Sequence, residues 1–470
     1  MPQQPGDSAD HEVKTAFPKE YWTANLTELF ERSAYYAMAS FVVIYLGQLG
    51  LGDYWPSTLS SSVLWGLIYF LPILSGTIAD QVGFKRSLLV AFVLLAMGYF
   101  LMGSPVWFGF GSLSTTIGNE VSASGQTILT VVLGILLIGF GGSVIKPCIS
   151  GTVQKTAGSR ATLAFAIFYM VINIGSLLGR FTSWIFRTHF DLSYIFAVGA
   201  GFSVLTFFVV LFLYHDHEPS GGAQPKEAKN RKSVGRILAD MVLVLRNPRF
   251  TLFLLASSGF WFLYNQVYNV VPLYWKKVLE IDPAVDLYTM ANPFVIVFFQ
   301  LAVTRLFGKM KPVRSIIIGN IVVGTAFLIN LVPIWLSDSI RADVWNWIPI
   351  ASMFGIMTVG LVAFGELFAA PRAYEYIGAL SPKGQEGLFL GYANLPVALG
   401  ALAGGPVGAL IFNEVMCAGS TKLPNGLLEL DPVQNTIGWL ILGGIGLLSA
   451  AMMWSFNIWL KRQIAAEKRV

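Results

Sequence analysis

Charge is scarce in this chain. Of its 470 residues only 12% are Asp, Glu, Lys or Arg, while 55% are hydrophobic. Soluble proteins carry about 25% charged residues, so the deficit points to a polytopic membrane protein. Cysteine is nearly absent: Cys148 and Cys417 supply neither a disulfide framework nor metal-ligand spacing. Histidine is equally sparse, and His215 and His217 read as part of a solvated loop, because no cysteine or further histidine lies near them. No nucleophile–base pair or ligand set stands out, so neither an enzyme nor a cofactor is expected. The polar stretch Met1–Lys19 lacks a cleavable signal pattern, which leaves the first apolar stretch as the insertion signal. The net charge of +5 follows membrane topology and does not call for nucleic acid. What the chain has in abundance is glycine (47) and phenylalanine (35), which agrees with helices packed in lipid through small residues.

A bilayer core takes about 20 apolar residues of helix. Twelve such runs lie near 22–49, 59–81, 86–104, 124–151, 161–185, 193–214, 248–275, 286–308, 314–337, 345–371, 384–413 and 434–460. The long basic connection 215–247 divides them six and six. This predicts an N-terminal segment 1–21, a six-helix bundle 22–214, a linker 215–247, a second bundle 248–460 and a tail 461–470. Lys85, Arg86, Lys155, Arg160, Lys229, Arg236, Arg249, Lys309, Arg314, Arg372 and Lys383 fall on one side of these spans. The opposite loops hold little beyond Arg187, Lys276, Lys277, Arg341 and Lys422. Basic loops stay cytoplasmic, so both termini and the linker are expected there, with the chain a multi-pass protein of the cell membrane.

The few charges inside the spans therefore carry information. Glu28, Glu31, Arg32, Tyr35 and Tyr36 fall at i, i+3, i+4, i+7 and i+8, one stripe of a helix. Facing lipid they would cost several kcal/mol, so they are expected to line a polar pathway. Lys146 and Glu366 lie deep in spans four and ten with apolar turns on both sides, and their opposite charges suggest a contact between the halves. Arg180, in span five, is expected to approach the outer surface, where an arginine snorkels. Asn173, Asn265, Gln266 and Asn292 add neutral polar groups, which either join neighbouring helices or wall a cavity.

Between spans two and three the sequence Gly76-Thr-Ile-Ala-Asp80-Gln-Val-Gly83-Phe-Lys85-Arg86 resembles the loop signature of the major facilitator superfamily. A turn glycine and a basic cluster recur after span eight at Gly308-Lys-Met-Lys-Pro-Val-Arg314. The resemblance implies an all-α major facilitator fold of 12 transmembrane helices in two six-helix bundles, with Gly76, Asp80, Gly83, Lys85 and Arg86 in a conformational role. Further motifs narrow it. Glu28-x-x-Glu31-Arg32-x-x-Tyr35-Tyr36, Lys146-Pro147-Cys148-Ile149-Ser150, Phe168-Tyr169-x-x-Ile172-Asn173-x-Gly175-Ser176, Asn292-Pro293 and Gly365-Glu366-Leu367 resemble the proton-dependent oligopeptide transporter family. That resemblance implies a proton-coupling cluster of Glu28, Glu31 and Arg32. It implies a substrate cavity lined by Tyr35, Tyr36, Tyr69, Lys146, Asn173, Asn265, Asn292 and Glu366.

The chain also departs from that family. An arginine expected seven residues after Arg32 is Ala39, and the acidic residue expected before the glutamine of helix seven is Asn265. Both charges of a facing pair are missing together. The reading is a symporter importing di- and tripeptides with protons, working as a monomer in the bilayer. Its first alternative is a non-peptide organic anion or peptide-like metabolite on the same scaffold, and its second is a non-transporting membrane sensor.

Overall fold

A computed structural model of the protein describes residues 16–114, 122–157, 160–216, 235, 243, 245–344, 346–380 and 392–467. Ten helices in it are long and apolar enough to cross a membrane. They are α2 (Trp55–Gly76), α3 (Phe84–Trp107), α4 (Gly125–Ala157), α5 (Leu163–His189), α6 (Tyr194–Leu213), α8 (Val285–Phe307), α9 (Pro312–Leu336), α10 (Ile350–Ile377), α11 (Tyr392–Met416) and α12 (Pro432–Ala466). Two helices that escape so simple a test complete the expected twelve: α1 (Lys19–Ala39), which carries the charged stripe, and α7 (Pro248–Gln266). Only two short two-stranded hairpin ladders, in the loops at 343–349 and 421–429, interrupt the all-α character of the described residues.

α1 and α7, the first helix of each predicted half, share a defect. α1 breaks at Ser40–Phe41 and resumes as Val42–Gln48; α7 breaks at 267–269 and resumes as Val270–Tyr274. The two resumed segments pack on each other. Each break frees backbone groups and side chains to turn toward the opposite half, a use of irregular backbone that lipid permits only inside protein.

Within the first half α3 packs on α4 and α6, and α1 packs on α5 and α6; within the second, α9 packs on α10 and α12, and α7 on α11. The halves meet through α2 against α11 and α5 against α8. α11 is accordingly the most enclosed of these ten spans, and α8 the most open. Large apolar side chains such as Val90, Leu129, Phe212, Phe298, Leu301 and Trp454 point outward, the surface that a hydrocarbon solvent covers.

Two local features set the positions of the charged side chains. α1 and α5 touch backbone to backbone at Gly175 and Gly179: a Cβ on Gly179 would lie 2.3 Å from the Ser33 carbonyl oxygen, and one on Gly175 2.8 Å from Arg32 Cβ. This Gly-x-x-x-Gly spacing is how small residues bring membrane helices together. In α4, Pro147 has no N–H to offer the carbonyl of Ser143 four residues back. The Ser75 hydroxyl of α2 donates to that carbonyl at 2.8 Å instead. A Cβ on Gly76 would sit 3.1 Å from Pro147, so α2 and α4 are pressed together beside Lys146.

Candidate functional site

α1 presents its stripe inward as the 3.6-residue period requires. Glu28 is fully buried and Glu31 and Arg32 are nearly so. Arg32 Nε lies 2.5 Å from Glu31 Oε2 and 3.3 Å from Glu28 Oε1. Neither oxygen of Glu28 accepts a hydrogen bond among the described residues. Two carboxylates thus share one guanidinium. A buried charge is tolerated when it is paired and hydrogen-bonded, and here Glu31 has the better half of the arrangement. Glu28 is left as the carboxylate whose proton inventory the protein can change at least cost in broken hydrogen bonds.

Above this cluster Arg32 sits 5.2 Å from the Tyr35 ring, and Tyr35 meets Tyr36 edge-on at 5.1 Å. The Tyr35 hydroxyl is buried without a partner among the described residues. Lys146 Nζ lies 5.2 Å from the Tyr69 ring centroid, and the charges of Arg32, Glu28, Glu31 and Glu366 all act on it. Tyr69 in turn packs on Trp65, whose ring is 5.1 Å from Tyr268 and 6.2 Å from Tyr264 in the other half. The result is an aromatic wall continuous across the two halves. Tyrosine rings of this kind supply both a π face and a hydroxyl.

The sequence expectation of a Lys146–Glu366 contact is corrected. No carboxylate oxygen lies within 4.0 Å of Lys146 among the described residues. Lys146 is drawn over Tyr69, while Glu366 lies beside Asn292 and Tyr264 of its own half. The two opposite charges act on one another without an ion-pair contact.

The neutral polar residues divide. Asn292 lies near Glu366, with its buried amide nitrogen short of a hydrogen-bond partner among the described residues. Asn173 donates to the Tyr169 carbonyl of its own helix at 2.9 Å, with its side chain largely buried. Asn265 sits at a crossing of helices: it accepts from Ser61 of α2 at 2.5 Å and from Asn269 at 2.5 Å, and it lies against Gly404 of α11. Its neighbours are those of a joint between halves. Ser40, the residue after Ala39, bonds Thr289 of α8 at 2.8 Å.

Of the residues to which the resemblance gives a conformational role, Gly76 packs on Pro147 beside Lys146, and Gly83, Lys85 and Arg86 form a turn at the opposite end of the molecule. Gly83 adopts φ 99°, a left-handed turn that glycine permits, and the Lys85 backbone N–H donates to Asp216 at 3.0 Å. Asp216, from the His-Asp-His stretch, thereby ties the α2–α3 turn to the end of α6. Arg86 is exposed on this turn. The side chain of Asp80 and the residues Lys229, Arg236, Lys383 and His217 lie outside the described residues.

At the predicted outer end the halves are pinned together. Arg187 pairs with Asp282 at 2.8 Å and Asp286 at 3.3 Å, Lys277 pairs with Asp53 at 2.6 Å, and Tyr54 donates to Glu414. Every cross-half ion pair among the described residues is at this end. These contacts hold the predicted outer ends of the two halves together.

One residue departs from its expected place. Arg180 does not snorkel; it is 0% exposed, and it reaches from α5 to Tyr268 and Thr289 of the second half. The close approach of α1 and α5 at Gly179 turns this side chain inward. The signal was present in the sequence, since Asn173, Ser176 and Arg180 stand at i, i+3 and i+7 on one face of α5. Tyr268, Thr289 and Ser61 carry no charge or helical-face pattern in the sequence that marks them, and only packing brings them to the interior.

The sequence signature of the Major Facilitator Superfamily matches residues 26–365. Among curated proteins, the chain is 24% identical over 452 residues to the dipeptide and tripeptide permease A of Citrobacter koseri, covering 84% of each. It is 22% identical over 422 residues to the multidrug resistance protein MdtH of Aeromonas hydrophila, covering 86% of this chain and 94% of that protein. Among solved structures, the peptide transporter POT in complex with sulfate superposes with a TM-score of 0.70 at 19% identity over 95% of both chains. A POT family transporter in complex with 5-aminolevulinic acid gives 0.70 at 18% identity, over 93% of this chain and 96% of that one.

Proposed function

Because this chain belongs to the Major Facilitator Superfamily, and so is a membrane transporter and not an enzyme, we propose that it is a proton-coupled symporter of the oligopeptide transporter branch that carries small peptides inward by alternating access. The observation that carries the reading is the buried Glu28–Arg32–Glu31 cluster set beside Lys146, with Glu366 opposite on the other half. Protonation of the carboxylates from the outer side loosens their hold on Arg32. A peptide then spans the gap between Lys146 and Glu366, its carboxylate toward the first and its amine toward the second. The halves rock about this bridge, and the cluster releases its proton inward. One proton crossing about 100 mV supplies roughly 2.3 kcal/mol, and at 1.4 kcal/mol per tenfold that supports an accumulation of roughly 40-fold.

The proposal includes the division into bundles 22–214 and 248–460 around the linker 215–247, both termini in the cytoplasm, and a monomer as the working unit. Names of relatives support the peptide reading: curated relatives include dipeptide and tripeptide permeases. A non-peptide organic anion is the second reading. Ala39 and the engagement of Asn265 with Ser61 favour it, because the charges that would hold a peptide at that level are gone.

Counterflow of radiolabelled dialanine in proteoliposomes tests cargo without requiring a proton gradient. We expect uptake against preloaded unlabelled dipeptide, blocked by a panel of di- and tripeptides. Counterflow absent for the whole panel rejects peptide transport and leaves the anion reading to be tried with organic acids.

A further inference from the structure

We infer that Arg180 is a receptor for an anionic group of the cargo, and that the cargo therefore carries a carboxylate or comparable anion that is met at the predicted outer end of the cavity. The inference rests on the transporter reading and specifies its ligand.

Arg180 is a fully buried cation with neutral partners only. Nε donates to Thr289 Oγ1 at 3.1 Å, one terminal nitrogen to Tyr268 Oη at 3.1 Å, and the other to the Ser176 hydroxyl and, at 3.4 Å, to its carbonyl. The guanidinium stacks 4.5 Å from the Tyr36 ring centroid. Three other buried or nearly buried cations have carboxylates: Arg32 has Glu28 and Glu31, Arg187 has Asp282 and Asp286, Lys277 has Asp53. Lys146, like Arg180, has none within 4.0 Å among the described residues, but the charges of Glu28, Glu31 and Glu366 act on it. For Arg180 no carboxylate lies within 4.0 Å among the described residues. Burying a charge without a countercharge is unfavourable, and hydroxyls offset that only in part. A guanidinium has five N–H donors in a planar fork that fits a carboxylate in bidentate fashion.

Geometry indicates when the anion arrives. Thr289 and Tyr268 belong to the second half and Arg180 to the first, so both bonds exist only while the predicted outer end is shut. Opening that end strips away both hydroxyls and leaves a cation at the cavity mouth, where an incoming carboxylate is the best replacement. Thr289 also bonds Ser40, next to Ala39. Arg180 thus places a positive charge from α5 at the level of Ser40 on α1, through the shared partner Thr289.

The test is ligand binding by the purified full-length protein in detergent, followed by thermal unfolding during titration with dialanine, its C-terminal amide and succinate. Wild type is expected to prefer dialanine over the amide by about tenfold or more and to bind succinate, as a charge-assisted bidentate pair requires. Arg180→Gln lowers the acid-over-amide preference about tenfold, leaving only the part that Lys146 supplies. Arg180→Lys keeps charge but loses the fork, and weakens the two acids by about fivefold with the amide unchanged. Tyr268→Phe and Thr289→Val remove the hydroxyl partners and keep the preference. A purely architectural arginine would show the opposite pattern, with the preference intact in Arg180→Gln. If Arg180→Gln does not fold, Arg180→Lys decides: an unchanged acid-to-amide ratio overturns the inference, as does a wild type that neither acid stabilises. Anion binding that depends on Arg180, without counterflow of those anions in wild-type proteoliposomes, upholds the inference and rejects transport. Dipeptide counterflow untouched by Arg180→Gln upholds transport and rejects the inference.

Discussion

The two halves of the molecule face each other with different chemistry. The first contributes Glu28, Glu31, Arg32, Lys146 and Arg180 to the interior, drawn from α1, α4 and α5. The second contributes Glu366 and otherwise amides and hydroxyls: Asn265, Gln266, Tyr264, Tyr268, Thr289 and Asn292. An interface of ion pairs is expensive to separate in low dielectric, since each parting strands two charges. Charge against hydroxyl separates more cheaply, because one side can be left neutral. On the proposed function the first half is the one that holds protons and anions, and the second, apart from Glu366, is a neutral counterface that can come and go. Ion pairing across the halves is confined, among the described residues, to the predicted outer end, where Arg187 meets the exposed Asp282 and the buried Asp286 and Lys277 meets the partly exposed Asp53.

Removing the chemistry of the first half has the largest expected effect. Glu31→Gln or Glu28→Gln abolishes accumulation driven by a pH gradient, the roughly 40-fold supported by one proton across about 100 mV, while counterflow persists. Uptake by either variant that still follows the gradient fully would remove that carboxylate from the coupling role. Giving the second half a charge comes next. Thr289→Asp places a carboxylate beside Arg180, converts a parting contact into a buried ion pair and should slow net uptake about tenfold while raising thermal stability; unchanged uptake would show that the neutral counterface is not needed for opening. The smallest effect concerns only how the first half is assembled. Gly179→Leu forces α1 from α5, where no room exists for a Cβ beside Ser33. Overpacking of this kind costs about 1–3 kcal/mol, to be read as a lowered unfolding temperature, with Arg180-dependent anion preference reduced alongside.

Much of this arrangement is legible in one dimension. Segment length and the rarity of charge locate the helices, because a bilayer imposes about 20 apolar residues whatever the neighbours do. A stripe at i, i+3, i+4, i+7 and i+8 puts Glu28 through Tyr36 on one face for geometric reasons alone. Even the backbone hydrogen bond missing from α4 can be anticipated from Pro147, though not that Ser75 satisfies the carbonyl it frees. Contacts between helices are another matter. Lys146 and Glu366 are opposite charges in opposite halves, yet sequence offers no measure of the gap between them, and the ring of Tyr69 intervenes on one side.

Sequence alone thus determined that this is a helical membrane protein with charge buried on its first helix, since hydrophobic length and helical period act locally. Tertiary structure decided where the charges find partners. Asn265 turned out to join Ser61 and Gly404, and Arg180 turned inward onto Tyr268 and Thr289, because backbone contact at Gly175 and Gly179 sets the rotation of α5 against α1. Partners supplied by helices more than eighty residues away along the chain follow from packing, and no periodicity within a single helix encodes them.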